Sequence, residues 1–169
     1  MGAGSVRPLA GGCDTSRMPS DRVLSRFSMS LPDSVLRSVG RLNVPLYRAT
    51  RGRLFATWGR APVLLLTSTG RRSGQQRTAP VVYMTDDERL VVIGSNAGNE
   101  RAPAWALNLQ ANPACAVQLG GRRRQVKARV AEGEERAELW RKMNEQYAGF
   151  DDYDERTSRD IPVFVLESG

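Results

Sequence analysis

The chain has 169 residues, two cysteines, no histidine and a formal charge of +7. That length suits one domain. The composition excludes a disulfide framework, Cys- or His-ligated zinc, Ser–His and Cys–His nucleophile pairs and imidazole proton shuttling. The longest apolar runs, such as Val63–Leu66 and Leu90–Ile93, are strand-sized and fall far short of the roughly 20 residues of a membrane-spanning helix.

From the amino terminus, residues 1–30 are rich in Gly, Ser, Pro and Arg without an apolar period and are expected to form a disordered tail. They lack the apolar stretch of a secretory signal, so Cys13 after "LAGG" resembles a lipid-attachment site only superficially. Met18 and Met29 are alternative starts, because "MSLPDSVLRSVG" reads as a natural beginning with Asp33 as a helix cap. Residues 31–50 follow as a basic amphipathic helix. Val35, Leu36, Val39 and Leu42 form its stripe, Arg37 and Arg41 lie on another face, and Pro45 ends it. Such a helix suits either an acidic membrane surface or the open end of a barrel.

From Leu54 the pattern turns to strands: "LFATW", "VLLLT", "PVVYM", "RLVVIGS", "CAVQL", "RQVKARVA" and "PVFVLE" are short, rich in Val, Leu and aromatics, and bounded by turn residues. "TDDE" and Gly120–Gly121 read as hairpin turns. Helices are expected over Pro103–Ala111 and Glu132–Tyr147, the second with Leu139, Trp140 and Met143 as its apolar stripe. Many strands joined as hairpins with few helices predict a mainly antiparallel barrel over 51–169, in the α+β class, rather than a βαβ sheet. Cys115 falls in a strand, and a chain with so few cysteines fits a reducing cytoplasm.

Charge is uneven. Residues 1–60 hold ten Arg against three Asp, while 61–169 are balanced at fifteen basic and fifteen acidic. No carboxylate occurs between Ser34 and Thr85, a span with nine arginines. An anionic partner follows: phosphate, nucleic acid or acidic lipid. Three of the nine arginines sit in "TSTGRRSGQQRTAP", Thr67–Pro80. This loop is no Walker sequence, yet Gly70 and Gly74 allow backbone approach to an anion, and Thr69, Ser73, Arg71, Arg72 and Arg77 can donate to it. An ordinary exposed hairpin loop is the alternative.

Two later stretches carry further polar and aromatic groups. "GSNAGNERAPAWALNLQANP", Gly94–Pro113, places Ser95 and Asn96 at a strand end, where ligand-facing groups are common. In the following helix Trp105 and Leu109 share a face suited to core packing, while Trp105 and Asn108 can both reach a planar ligand. "YAGFDDY" spaces Tyr147, Phe150 and Tyr153 three apart at the end of the second helix, which can put all three on one side of a pocket, helix-end packing being the alternative. A tyrosine hydroxyl, protonated up to about pH 10, can donate a proton in a chain without histidine.

"LLLTSTGRRSGQQRTAPVVY", "VVIGSNAGNERAPAWALNLQANP" and "YAGFDDYDERTSRDIPVFVLE", taken in this order, resemble the deazaflavin-dependent nitroreductase family of actinobacterial type over roughly Arg53–Glu167. The resemblance implies a split β-barrel, like the FMN-binding split barrels, with a few flanking helices. It also implies coenzyme F420, an 8-hydroxy-5-deazaflavin with a phosphate and an oligoglutamate tail. By the same resemblance, Arg71, Arg72 and Ser73 would meet the phosphate and tail, and Arg77, Thr78, Ala79, Pro80, Val81 and Val82 would line the same groove. Ile93, Gly94, Ser95 and Asn96 would face the ring, bordered by Ala104, Trp105, Ala106, Leu107 and Asn108. Tyr153 and Tyr147 would line the acceptor pocket, with Ser95 and Tyr153 orienting substrate or passing a proton. Phe150 stands where a nitro-reducing member carries tyrosine, and Ala79, Val82 and Ala106 replace bulkier or polar groups. These departures bear on acceptor preference rather than on cofactor binding.

The function expected is hydride transfer from reduced F420 to an electron-poor acceptor such as a quinone, enone or nitro compound, the cofactor carrying the difficult chemistry. The alternatives are an FMN-dependent enzyme on the same barrel, and a non-catalytic module holding a deazaflavin, a lipid or nucleic acid. Against nucleic acid, the basic span lacks a recognition element, although Trp58 and Phe55 lie near it. The expected location is the cytoplasm, with peripheral contact to acidic membrane through the front helix.

Overall fold

Strands form where β-branched and aromatic residues alternate, and the computed structural model describes residues 44–53, 56–58, 61–147, 150–154 and 156–168. In chain order they are β1 (Thr57–Trp58), β2 (Ala61–Thr69), β3 (Gln76–Asp86), β4 (Arg89–Ile93), β5 (Ala114–Leu119), β6 (Arg122–Val130) and β7 (Val163–Ser168). Helix α1 (Ala104–Ala111) precedes β5, and α2 (Gly133–Gln146) and α3 (Phe150–Asp154) precede β7. The pairing is antiparallel in the order β1-β2-β3-β4-β7-β6-β5, and β5 returns to β2, so that six strands close into a barrel and β1 remains a two-residue edge. Closure removes the exposed strand edges that an open sheet must protect.

Because successive strand residues face opposite sides, the apolar runs divide between two cores. Leu64, Leu66, Val81, Leu90, Val92, Val117, Val126, Phe164 and Leu166 fill the barrel, joined by Ala106 and Leu109 of α1. Met84, Val91, Ile93, Val163 and Val165 face outward beneath Leu139, Met143, Tyr147, Phe150 and Tyr153. Strands β4 and β7 are therefore buried on both sides, which explains why "LVVI" and "VFVL" lack polar alternation.

The tail and the helical stripe at Asp33–Leu42 lie outside the described residues, as do Leu54 and Phe55 of the expected first strand. Residues 44–49 are helical, so Pro45 lies within a helical stretch instead of ending one; its fixed φ suits a helix. Tyr47 pins this segment to the barrel. It is 1% exposed, its hydroxyl donates to the Val63 carbonyl at 3.2 Å, and it accepts from the Gly120 N–H at 3.0 Å. Gly52, at φ 79°, follows; a Cβ there would lie 2.8 Å from the Gly120 Cα, so only glycine fits. The hairpin turns fall where expected, with Asp87 (φ 53°) between β3 and β4 and Gly120 (φ 58°) between β5 and β6.

The second helix ends at Gln146, and Tyr147 turns extended (φ −145°). Phe150 and Tyr153 belong to the separate α3, contrary to the expectation of a single helix end, because Tyr147, Phe150 and Tyr153 all dip into the outer core.

Candidate active site

A cleft of about 860 Å³ runs along β3 between the β2–β3 loop, α1 and α3. Four arginines line it, Arg101 together with Arg71, Arg72 and Arg77 at the end formed by the β2–β3 loop, and among the described lining residues there is no carboxylate. Among the described residues none of these four makes an ion pair. The ion pairs gather elsewhere, with Asp86 held by Arg89 and Lys142, and Glu135 by Arg89 and Arg129. Uncompensated guanidiniums beside a low-dielectric wall focus a positive field on the cleft.

The loop carrying these arginines is built tightly. Gly70 N–H donates to the Gln75 carbonyl at 2.8 Å, and Gly74 N–H to the Gly70 carbonyl at 2.8 Å. Its anchor is Asn108 on α1, 4% exposed. The Asn108 Oδ1 accepts from the Arg71 N–H at 3.1 Å while its Nδ2 donates to Ser68 Oγ at 3.1 Å. Asn108 thus borders the cleft, but its amide is committed to holding the loop. Further along, the Thr67 and Thr78 hydroxyls pair at 2.9 Å and Arg48 Nη2 donates to Thr78 Oγ1 at 3.3 Å, so the front segment also reaches the cleft wall.

The other end is apolar and aromatic. Val81, Val82 and Ile93 form its floor, and Tyr147, Phe150 and Tyr153 its wall. The three rings stack edge to face, Tyr147 to Phe150 at 5.4 Å and Phe150 to Tyr153 at 5.9 Å between centroids, the arrangement aromatic quadrupoles favour. The Tyr147 and Tyr153 hydroxyls lie 3.2 Å apart. Burial, and then the bond to Tyr147, raises the Tyr153 pKa above the ordinary tyrosine value, so its proton stays on at neutral pH. Ser95 is 7% exposed, borders the cleft, and its hydroxyl makes no cap bond. Burial pushes the Cys115 thiol up to about 11, which keeps it from acting as a thiolate nucleophile.

Of the residues singled out from the sequence, Arg71, Arg72, Ser73, Arg77, Thr78, Ala79, Pro80, Val81, Val82, Ile93, Ser95, Asn96, Ala104, Trp105, Leu107, Asn108, Tyr147 and Tyr153 all line this one cleft. Gly94 and Ala106 do not. Ala106 is 1% exposed in the barrel core, and a Cβ on Gly94 would touch it at 3.3 Å, so the pair packs behind the wall. Trp105 serves both surfaces, with its ring 5.7 Å from Phe164. Sequence reasoning passed over Arg101, Ala97 and Pro103 and assigned Trp58 no place in the cleft it lines, whereas Phe150 lines the pocket beside Tyr147 and Tyr153, as their spacing predicts. Arg101 sits inside a quoted motif, and its charge was the available signal.

The donor set fits F420. The arginine loop, with no carboxylate among the described lining residues, suits a phosphate and oligoglutamate chain, and the small and apolar side chains of Ala79–Val82 suit the face of a flat ring. Among the described residues there is no metal-binding cluster and no helix long and apolar enough to cross a membrane.

Comparison with known proteins agrees. The family model of F420H(2)-dependent quinone reductases matches residues 39–168. An F420H(2)-dependent quinone reductase of Mycobacterium tuberculosis (strain H37Rv) is 38% identical over 130 residues, covering 75% of this chain and 87% of that one. The solved structure of an F420-H2 dependent reductase, FDR-A, is 36% identical with a TM-score of 0.58, covering 63% of this chain and 94% of that chain. The heme storage protein HutZ of Vibrio cholerae, 18% identical with a TM-score of 0.51 over 74% of this chain and 89% of its own, shares the barrel fold. The match over residues 39–168 spans most of the chain, which belongs to the F420H(2)-dependent quinone reductase family.

Proposed function

We propose that the cleft holds reduced F420 with its anionic tail at Arg71, Arg72 and Arg77 and its ring between Ser95 and the tyrosine wall, where it meets the quinone. The observation that carries this reading is the polarity of the cleft: Arg71, Arg72 and Arg77, without an ion pair among the described residues, at the end formed by the β2–β3 loop, and three stacked aromatics with two hydroxyls at the other. When bound, reduced F420 supplies the hydride. Residues 51–169 are the unit proposed to do this work.

The chain's own residues then divide their tasks. The arginine loop binds and orients; its guanidiniums offer planar forks to phosphate and carboxylate oxygens. Val81, Val82 and Ile93 exclude water from one side of the reacting rings. Quinone reduction consumes a hydride and a proton, and the Tyr153 hydroxyl, kept protonated by burial, is the donor placed for that proton. Tyr147, 3.2 Å away, can return one to it. Ser95 offers a second hydroxyl to a quinone oxygen.

Fluorescence titration with tail-bearing F420, a tail-less deazaflavin and FMN tests the assignment. Arg71→Ala is expected to weaken tail-bearing F420 about tenfold and the tail-less form little, with a salt dependence that the variant loses in part. Equal weakening for both ligands would refute the placement of the tail. Exposed Arg48, Arg51 and Arg53 beside the front segment also support peripheral contact of a cytoplasmic protein with anionic membrane. Co-sedimentation with anionic but not neutral vesicles is the expected result, and indifference to lipid charge would count against it.

A further inference from the structure

The cleft-lining turn after β4 has a backbone that its own residues do not favour. Asn96, Ala97 and Gly98 have φ of 49°, 55° and 75°, three successive left-handed residues, of which only the last is a glycine. Local bonds contribute: Gly98 N–H to the Ser95 carbonyl at 3.1 Å, Asn99 N–H to the Asn96 carbonyl at 3.1 Å, and Asn96 Nδ2 to the Arg101 carbonyl at 2.8 Å. Gly98 presses on α3, where a Cβ would lie 3.1 Å from the Tyr153 carbonyl oxygen and 3.2 Å from its Cα.

The long-range restraint is Arg159. Its Nε donates to the Asn99 carbonyl at 3.0 Å, and its Nη2 to the carbonyls of Gly94 at 3.0 Å and Ser95 at 2.5 Å. One guanidinium therefore grips both ends of the turn. Arg159 does not line the cleft and makes no ion pair among the described residues. Burial lowers its pKa, opposed by the nearby charges of Glu100 and Asp160, and its Nη1 is buried without a partner. A partly desolvated cation whose hydrogen bonds among the described residues all go to carbonyls is a costly way to fill space, and an apolar side chain would serve packing better. What the guanidinium alone supplies is a rigid fork that reaches three carbonyls at once.

The turn so held leaves donors unclaimed at the cleft. The N–H groups of Ser95, Asn96 and Ala97 meet no acceptor among the described residues, the Ser95 hydroxyl makes no cap bond, and all three residues line the cleft. Resting on the functional reading above, we propose that Arg159 is a positioning residue for hydride transfer: it holds Gly94–Asn99 in the one shape that keeps these donors available to a ring carbonyl of the bound redox partner. The recognised chemistry is a conjugated oxygen that gains negative charge, on the deazaflavin or on the quinone.

The test uses the full-length protein carrying Arg159→Met, Arg159→Lys or Arg159→Ala. Arg159→Met is expected to lower kcat about 100-fold, the effect of a misplacement of about 1 Å in a reacting geometry, and Arg159→Lys less. If the oxygen is the quinone's, the Kd for tail-bearing F420 should stay within about twofold, since the loop of Arg71, Arg72 and Arg77 is untouched; if it is the cofactor's, the Kd should rise by no more than about tenfold, the loss of one or two hydrogen bonds. Low-millimolar guanidinium should restore part of the rate to Arg159→Ala, which a purely structural role would not allow. If the oxygen is the cofactor's, the absorption spectrum of bound oxidised F420 shifts in Arg159→Met; if it is the quinone's, the spectrum holds and the quinone KM rises. Wild-type kcat in both Arg159→Met and Arg159→Lys, or a rate loss that follows the unfolded fraction in circular dichroism, would overturn the proposal. Failure of the wild type to oxidise reduced F420 would instead remove the functional reading, and this proposal with it.

Discussion

Replacing Asn108 by alanine should damage both stability and cofactor affinity, because its buried amide holds the arginine loop to the barrel. Its amide joins α1 to β2 and to the arginine loop through bonds at 3.1 Å to Ser68 and 3.1 Å from Arg71 N–H. Ser68 is 0% exposed, so its hydroxyl loses its partner where water cannot replace it, at about 1–3 kcal/mol, while the half-buried Arg71 N–H adds about 1 kcal/mol. A total of about 2–4 kcal/mol corresponds to a Tm lowered by roughly 5–15 °C for a chain of this size. The freed loop must also be re-ordered on binding, so the Kd for tail-bearing F420 should rise about tenfold, in line with roughly 1.4 kcal/mol of ordering cost. Differential scanning calorimetry and fluorescence titration read the two effects separately. An Asn108→Ala variant with Tm within about 1 °C of wild type, a shift worth well under 1 kcal/mol, would refute the tether.

Tyr153→Phe removes the buried hydroxyl that pairs with Tyr147 and should lower kcat about 100-fold, the lower end for a general acid, with F420 affinity unchanged; steady-state kinetics against quinone concentration checks it. Because the Tyr153 pKa is raised by burial, any alkaline loss of wild-type rate caused by its ionisation should appear only above the ordinary tyrosine value of about 10. Asp86, whose hydrogen bond to Lys142 and pairing with Arg89 hold its carboxyl below the usual range, contributes stability that is present above its unfolded pKa of about 3.9 and lost as pH falls through the folded value. Asp86→Asn should therefore lower Tm by a few degrees at pH 7, and the two melting curves should converge as the pH falls through the depressed folded value of Asp86.

The barrel was legible because its signals are local. Alternation and turn residues placed β2 to β7 and both hairpins, while the burial of β4 and β7 on two sides emerges only from the outer core that α2 and α3 lay over them. Tyr47 was not legible: it lies in a segment expected as a basic amphipathic helix, on a membrane surface or over the open end of the barrel, and its hydrogen-bond partners are 16 and 73 residues away. The same limit concealed the tether at Asn108, which acts across 37 and 40 residues, and the clamp at Arg159, which acts across 60 to 65. Gly94 and Ala106 stand in the right motifs yet pack behind the wall, because a motif fixes neighbourhood and not the direction in which each residue faces. The carboxylate-free span between Ser34 and Thr85 was a better guide: the cationic cleft end lies within it, and Asp86, Glu135 and Glu167 pair with Arg89, Arg129 and Lys142 elsewhere.

The most direct measurement is anaerobic mixing of the protein with reduced F420 and menadione, following the return of oxidised deazaflavin absorbance. The account predicts one deazaflavin oxidised per quinone reduced, at a rate that rises with protein and falls in Tyr153→Phe. Binding of FMN in preference to F420, with no protein-dependent oxidation of reduced F420 by the quinone, would contradict it.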